Sequence, residues 1–170
     1  FALEIARFVE ETRPEIPVVW GGMHPTLMAR QTLAHPLVDY VIRGEGELAL
    51  RDLARALANG SPLDAVPGLS WKGPGGEPRE NPEGPPLELA ELPPAPYDLV
   101  RVEDYVSPSQ FLYPGVRRLL PFQGSRGCPY KCTFCSEPAL TRRYRMMDPG
   151  LIRERTADLA WDHLVWVNWG

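Results

Sequence analysis

Gly124-Ser125-Arg126-Gly127-Cys128-Pro129-Tyr130-Lys131-Cys132-Thr133-Phe134-Cys135 holds all three cysteines of a 170-residue chain within eight positions. Three residues separate the first pair and two the second. Three thiolates on one tight loop can each take one iron of a four-iron cluster, because cluster irons prefer thiolate sulfur. The fourth iron is then open to a substrate or cofactor, which points to chemistry rather than electron storage. A structural zinc site normally closes with four ligands, and the only histidines are His24, His35 and His163, the last standing 28 residues after Cys135. A disulfide framework expects an even number of cysteines in a small secreted chain, and three do not supply it.

The spacing Cys128-x3-Cys132-x2-Cys135, with Phe134 before the last cysteine and Arg126-Gly127 before the first, resembles the signature of the radical S-adenosylmethionine (radical SAM) superfamily. The resemblance implies that Cys128, Cys132 and Cys135 ligate a four-iron four-sulfur (4Fe-4S) cluster. It further implies that S-adenosylmethionine chelates the open iron through its amino and carboxylate groups, and that Phe134 packs by its adenine.

Around the loop, Leu119 to Phe122 reads as a short apolar strand that delivers the cysteines at its carboxyl end, where catalytic loops of β/α barrels lie. Downstream, Asp148 as cap and Pro149 at the first position start a helix carrying Leu151, Ile152, Leu159 and Ala160 and ending near His163. His163 is then a helix-end residue. Leu164 to Trp169 reads as a second barrel strand. Asn168-Trp169-Gly170 stands where many radical SAM enzymes hold the cofactor's amino group, but it lacks their Gly-rich motif and is not assigned.

Upstream, Ala2 to Glu11 places Leu3, Ile5, Ala6, Phe8 and Val9 on one helical face. Ile16 to Trp20 and Val38 to Arg43 are short apolar runs of the kind that buried parallel strands show, followed by Gly21-Gly22 and by Gly44-Glu45-Gly46-Glu47. A helix is expected from Thr26 to Ala34 between Pro25 and Pro36. Another runs from about Glu47 to Ala58, with Leu48, Leu50, Leu53, Ala54 and Leu57 apolar and Gly60 just past its end. This alternation predicts an α/β, doubly wound (Rossmann-like) sheet, in which ligands sit beyond the carboxyl ends of the strands. Glycines there either make tight turns or admit a ligand to the backbone, and the pattern alone leaves both open.

Val18-Val19-Trp20-Gly21-Gly22-Met23-His24-Pro25-Thr26, followed by Val38-Asp39-Tyr40-Val41 and Gly44-Glu45-Gly46-Glu47, resembles the second half of the cobalamin-binding domain that precedes many radical SAM barrels. The resemblance implies that Gly21, Gly22, Gly44, Glu45 and Gly46 line a cleft for the cobalamin nucleotide tail. His24 is not read as a cobalt ligand, since the Asp-x-His-x-x-Gly loop that supplies one in that family is not found in this sequence. It is a loop or cleft residue, and His35, next to Pro36, a surface one.

Twelve of the twenty prolines fall between Ser61 and Arg117, so regular structure is sparse there and a connector that packs along both domains is expected. Val66 to Trp71 reads as a strand, with a turn near Gly73 to Gly76. The run from the Gly-Leu strand through Leu92-Pro93-Pro94-Ala95-Pro96-Tyr97-Asp98 to Tyr105 resembles the connector of cobalamin-dependent radical SAM proteins. Three parts follow: 1–60, the C-terminal part of a cobalamin-binding domain; 61–117, a Pro-rich connector; and 118–170, the first β/α units of a radical SAM partial TIM barrel. The chain opens on Phe1 within an apparent helix and stops after an apolar run, which is read as an internal fragment of a longer protein.

Composition bounds the function. With 44% hydrophobic and 24% charged residues the chain is neither a disordered tail nor fibrous. A formal charge of -4, with Arg142, Arg143 and Arg145 the only basic cluster, gives no nucleic-acid surface. No stretch nears the roughly 18 apolar residues of a membrane span, and Glu4, Arg7, Glu10 and Glu11 interrupt any signal-peptide core, so a cytoplasmic protein is expected.

The expected function is that of a cobalamin-dependent radical SAM enzyme. As the resemblance implies, a reduced cluster cleaves S-adenosylmethionine to a 5′-deoxyadenosyl radical that removes hydrogen from an unactivated carbon, with methyl transfer the foremost outcome and ring formation or oxidation in some relatives. Its partners are a small-molecule substrate and a one-electron donor such as a flavodoxin or ferredoxin. The alternatives are a radical methylthiotransferase, which would carry further cysteines in its first domain, and a non-enzymatic iron-sulfur or zinc module, which would need a fourth ligand.

Overall fold

The computed structural model describes residues 1–104, 119–141, 143–157 and 163–166. The chain divides between Pro86 and Leu87, inside the proline-rich stretch, into two units.

The first unit is built on a four-stranded sheet in the order β1 (Val19–Trp20), β2 (Tyr40–Ile42), β3 (Leu69–Lys72), β4 (Pro78–Glu80). The β1–β2 pair is parallel, with Val19 opposite Tyr40 and Trp20 opposite Val41. Parallel neighbours need a crossover, and two short helices, α2 (Met23–Leu27) and α3 (Ala29–Leu33), supply it. α1 (Ala2–Thr12) precedes β1, and α4 (Gly46–Asn59) follows β2.

Side chains alternate across the sheet, and each face has its own helix. Val41 and Val38 bury against Ala29 and Leu33 of α3, joined by Trp20. Ile42, Leu69 and Trp71 bury on the opposite face against Ala49, Leu53 and Ala56 of α4. The doubly wound arrangement expected for this half is therefore present.

The proline-rich stretch is more regular than expected, because its first part completes the sheet. β3 pairs antiparallel with β2, and β4 antiparallel with β3. Pro78 opens the exposed edge strand, where a missing N–H costs no ladder bond. The Gly73–Gly76 turn closes with Gly76 N–H donating to Gly73 O at 2.8 Å. Asn81, buried just after β4, donates from Nδ2 to the carbonyls of Leu63 (2.7 Å) and Val66 (2.8 Å), tying the segment that enters β3 to the one that leaves β4.

Two sequence expectations are corrected here, and the face that α4 buries is defined. The helix expected from Thr26 to Ala34 begins earlier and breaks at Met28 (φ −128°, ψ 43°). Pro25 lies inside its first turn, where N–H groups have no intrahelical acceptor and proline is tolerated. In α4 the buried stripe is Ala49, Leu53 and Ala56, spaced four and three apart, whereas Leu48, Leu50 and Leu57 are exposed. In α1 only Ala6 is buried and Val9 half-buried, and Leu3, Ile5 and Phe8 are exposed, so most of the apolar stripe read from the sequence is uncovered within this unit. The cap at Gly60 is as expected: φ is +64° and its N–H donates to Ala56 O.

The second unit contains β5 (Leu119–Phe122), β6 (Ser125–Arg126), α5 (Glu137–Leu140), β7 (Arg145–Met146), α6 (Pro149–Thr156) and β8 (His163–Trp166). β5 and β8 pair in parallel, Leu119 opposite His163 through Phe122 opposite Trp166, as the first two strands of a β/α barrel would. Asp148 caps α6, its carboxylate accepting from the N–H groups of Gly150 (2.8 Å) and Leu151 (3.3 Å). His163, expected at a helix end, is instead the first residue of β8. The expectations for Tyr105, Arg142, Leu159, Ala160 and Asn168 to Gly170 lie outside the described residues.

A small core of Leu89, Phe122 and Met147, with Leu92, Leu151 and Ile152 against it, joins β5 and α6 to the start of this unit. Arginines hold that start in place. Arg155 donates to the carbonyls of Leu89 (3.4 Å), Ala90 (3.0 Å) and Leu92, Arg145 donates to Leu87 O, and Arg143 pairs with Glu88 at 3.7 Å.

Candidate cofactor sites

In the second unit the cysteine loop is closed at its root by a ribbon that the sequence reading missed. Ser125 pairs with Met146 and Arg126 with Arg145, and Met147 N–H donates to Gly124 O at 2.8 Å. The described residues between Arg126 and Arg145 therefore leave from, and return to, this one ribbon. Gly127 makes the exit possible: its φ is +81°, and a Cβ there would stand 2.7 Å from Arg143 O and 3.1 Å from Thr141 Oγ1. Only glycine fits such a position without displacing backbone.

Cys128, Cys132 and Cys135 are free thiols and all exposed. Cys135 N–H donates to Cys132 O at 3.1 Å, forming the turn between the second and third cysteines. Glu137 N–H donates to Cys135 Sγ at 3.4 Å, the kind of backbone donor that stabilises a cluster-bound thiolate. Glu137 is itself buried, and Thr141 Oγ1 donates to its carboxylate, which ties the two ends of α5 together just after the last cysteine. Ser125 Oγ, fully buried at the root, has no hydrogen-bond partner among the described residues.

Among the described residues no three Cys, His, Asp or Glu side chains converge as a single-ion site requires. Ligands to three different irons of one cluster stand apart, so the donor set fits a cluster without such convergence. Phe134 is 91% exposed and Tyr130 71%, which leaves two aromatic faces open beside the thiols.

In the first unit the parallel register of β1 and β2 brings their carboxyl ends side by side. Gly21 and Gly22 leave β1, and Gly44, Glu45 and Gly46 lead from β2 into α4. Gly21 passes close to the end of β2, where an added Cβ would lie 3.8 Å from Ile42 O. Gly22 (φ +97°) and Gly44 (φ +71°) both take left-handed backbone that strongly favours glycine. A Cβ on Gly22 would meet nothing within 4 Å, so the loop is open on that side and a ligand can approach its backbone. His24 is exposed on α2, next to this loop. His35 is half-buried rather than on the surface, its Nδ1 accepting from Leu37 N–H at 3.2 Å.

Residues 1–54 match the B12 binding domain family. Among curated proteins, the chain is 31% identical over 165 residues to the anaerobic magnesium-protoporphyrin IX monomethyl ester cyclase of Rubrivivax gelatinosus, covering 95% of this chain and 28% of that one. It is 35% identical over 135 residues to the cobalamin-dependent radical SAM methyltransferase TokK of Streptomyces tokunonensis, covering 78% of this chain and 19% of TokK. The chain thus spans less than a third of the length of either relative. Its fold matches that of the cobalamin-dependent S-adenosylmethionine radical enzyme OxsB with a TM-score of 0.76 and 22% identity, covering 99% of this chain and 24% of OxsB. Over less than a third of their length the chain is therefore similar to cobalamin-dependent radical SAM proteins: its first unit carries the match to a B12 binding domain, and its fold as a whole is that of OxsB.

Proposed function

We propose that the protein containing this chain is a cobalamin-dependent radical SAM enzyme that acts on an unactivated carbon of a small molecule, foremost by methyl transfer. The observation that carries this reading is the presence in one chain of an exposed three-cysteine loop beyond β5 and two glycine loops side by side beyond the parallel strands β1 and β2. Cys128, Cys132 and Cys135 would hold a 4Fe-4S cluster with an open iron, and Phe134 would face the adenine of S-adenosylmethionine. Gly21, Gly22, Gly44, Glu45 and Gly46 would line the cleft for cobalamin. When bound, these groups supply a 5′-deoxyadenosyl radical and a methyl group.

The chain's own residues bind and position. Gly127 and the β6–β7 ribbon fix the root of the loop, Glu137 N–H supports the Cys135 sulfur, and the exposed Phe134 offers a ring for stacking. The positive-φ glycines Gly22 and Gly44 let a large ligand reach the backbone. No helix among the described residues is long and apolar enough to cross a membrane. The reading places the enzyme in the reducing cytoplasm, where a flavodoxin or ferredoxin delivers the electron.

A second reading is ring closure, favoured by the activity of the Rubrivivax relative. Anaerobic incubation of the full-length protein with S-adenosylmethionine, cobalamin, reductant and candidate substrates tests both. Formation of 5′-deoxyadenosine together with S-adenosylhomocysteine supports methyl transfer. Formation of 5′-deoxyadenosine without S-adenosylhomocysteine supports ring closure or oxidation, and neither product from any substrate speaks against the enzyme.

A further inference from the structure

Thr26, on the short helix α2, is bonded to both glycine loops. Its hydroxyl donates to Gly22 O at 2.8 Å and accepts from Gly44 N–H at 3.0 Å. Gly22 follows β1 and Gly44 follows β2, so one oxygen spans the two loops of the candidate cleft. The Thr26 N–H also donates to Gly22 O, at 3.1 Å, so the same residue holds that carbonyl from backbone and side chain together.

Two loops whose key residues are glycines have many accessible conformations, and ordering them on binding would cost affinity. A hydroxyl that bonds one group in each loop removes part of that cost beforehand. Pro25, buried beside it in the first turn of α2, further restricts the segment that presents the hydroxyl. We propose that Thr26 is a positioning residue: its hydroxyl sets the separation of the Gly21-Gly22 and Gly44-Glu45-Gly46 loops and pre-organises them for the cobalamin tail. The inference rests on the cobalamin reading above and adds to it a residue that acts on the loops rather than on the ligand.

Thr26→Val keeps the branched shape but removes both bonds and leaves Gly44 N–H without its acceptor. Thr26→Ser keeps the hydroxyl. Hydroxocobalamin binding to the full-length protein, its endogenous cobalamin removed, is measured by equilibrium dialysis for wild type and both variants. Loss of two hydrogen bonds predicts binding about tenfold weaker in Thr26→Val. Thr26→Ser should bind within about threefold of wild type. Iron content after reconstitution should be the same in all three, which separates loosened loops from general misfolding.

Wild-type binding with undiminished affinity in Thr26→Val would overturn the latch while leaving the cobalamin reading in place. Failure of the wild type to bind would overturn the reading and the latch together. Should Thr26→Val not fold, hydrogen exchange of the unliganded wild type decides: a Gly44 amide slowed relative to the open loop supports the latch, and one exchanging freely overturns it.

Discussion

Replacing Gly127 by alanine tests how the thiol loop is held. Gly127 has φ +81°, and a Cβ in left-handed backbone costs roughly 1–2 kcal/mol. That Cβ would also stand 2.7 Å from Arg143 O and 3.1 Å from the Arg143 carbonyl carbon. The obstacle is backbone leading into β7 rather than the end of a flexible side chain, so relief requires moving the ribbon, and overpacking of this kind costs about 1–3 kcal/mol. The total is about 2–5 kcal/mol, concentrated where the cysteine loop leaves the sheet. Gly60→Ala is the matched control: its φ is +64°, but a Cβ there meets nothing within 4 Å. It bears only the backbone cost, in the other unit. The assay is iron and acid-labile sulfide per chain after anaerobic reconstitution of the full-length protein, with thermal unfolding alongside. Gly127→Ala should lose most of its cluster and Gly60→Ala none. Equal loading, with Gly127→Ala melting no lower than Gly60→Ala, would refute the argument that the Arg143 carbonyl fixes the loop's exit.

Three further outcomes are expected. Replacing any one of Cys128, Cys132 or Cys135 by alanine should abolish 5′-deoxyadenosine formation by the full-length protein, and a normal yield from any of the three would remove that residue from the ligand set. Arg155→Met deprives the carbonyls of Leu89, Ala90 and Leu92 of their donor, at a cost of about 1–3 kcal/mol, and should speed limited proteolysis within residues 87–92; unchanged cleavage would show that the guanidinium holds nothing there. Burial, and then the charge of Asp39, raise the Tyr40 phenol above its ordinary 10.0, so the stability that the neutral phenol contributes to the first unit is fully present below about pH 10 and is lost as pH rises through the folded value. Tyr40→Phe should flatten that alkaline slope in urea unfolding, and an unaltered slope would assign it to another group.

What could be read from the sequence follows from how local each signal is. The Asp148-Pro149 helix start and the Gly60 cap are set by neighbours in the chain, and both stand where expected; the cysteine spacing is equally local and is legible without the fold. The parallel β1–β2 pair was legible because both strands are apolar runs followed by glycine. The ribbon at the root of the cysteine loop was not, since two-residue strands joining Arg126 to Arg145 carry no periodicity. Nor was the role of Asn81, whose partners Leu63 and Val66 lie 18 and 15 residues away. The buried face of α4 could not be picked out among its many apolar residues, because the surface against the sheet is set by the spacing of Ala49, Leu53 and Ala56 rather than by the leucines alone. Thr26 passed as an ordinary helix residue, because its two acceptor and donor partners become neighbours only once the loops beyond β1 and β2 meet.

The most direct test of the central claim is electron paramagnetic resonance of the anaerobically reconstituted, reduced full-length protein, with and without S-adenosylmethionine. The account predicts a four-iron signal that changes when S-adenosylmethionine is added, because the cofactor reaches an iron that Cys128, Cys132 and Cys135 leave open. A four-iron signal that stays the same on addition, or a preparation holding zinc and no labile sulfide, would contradict it.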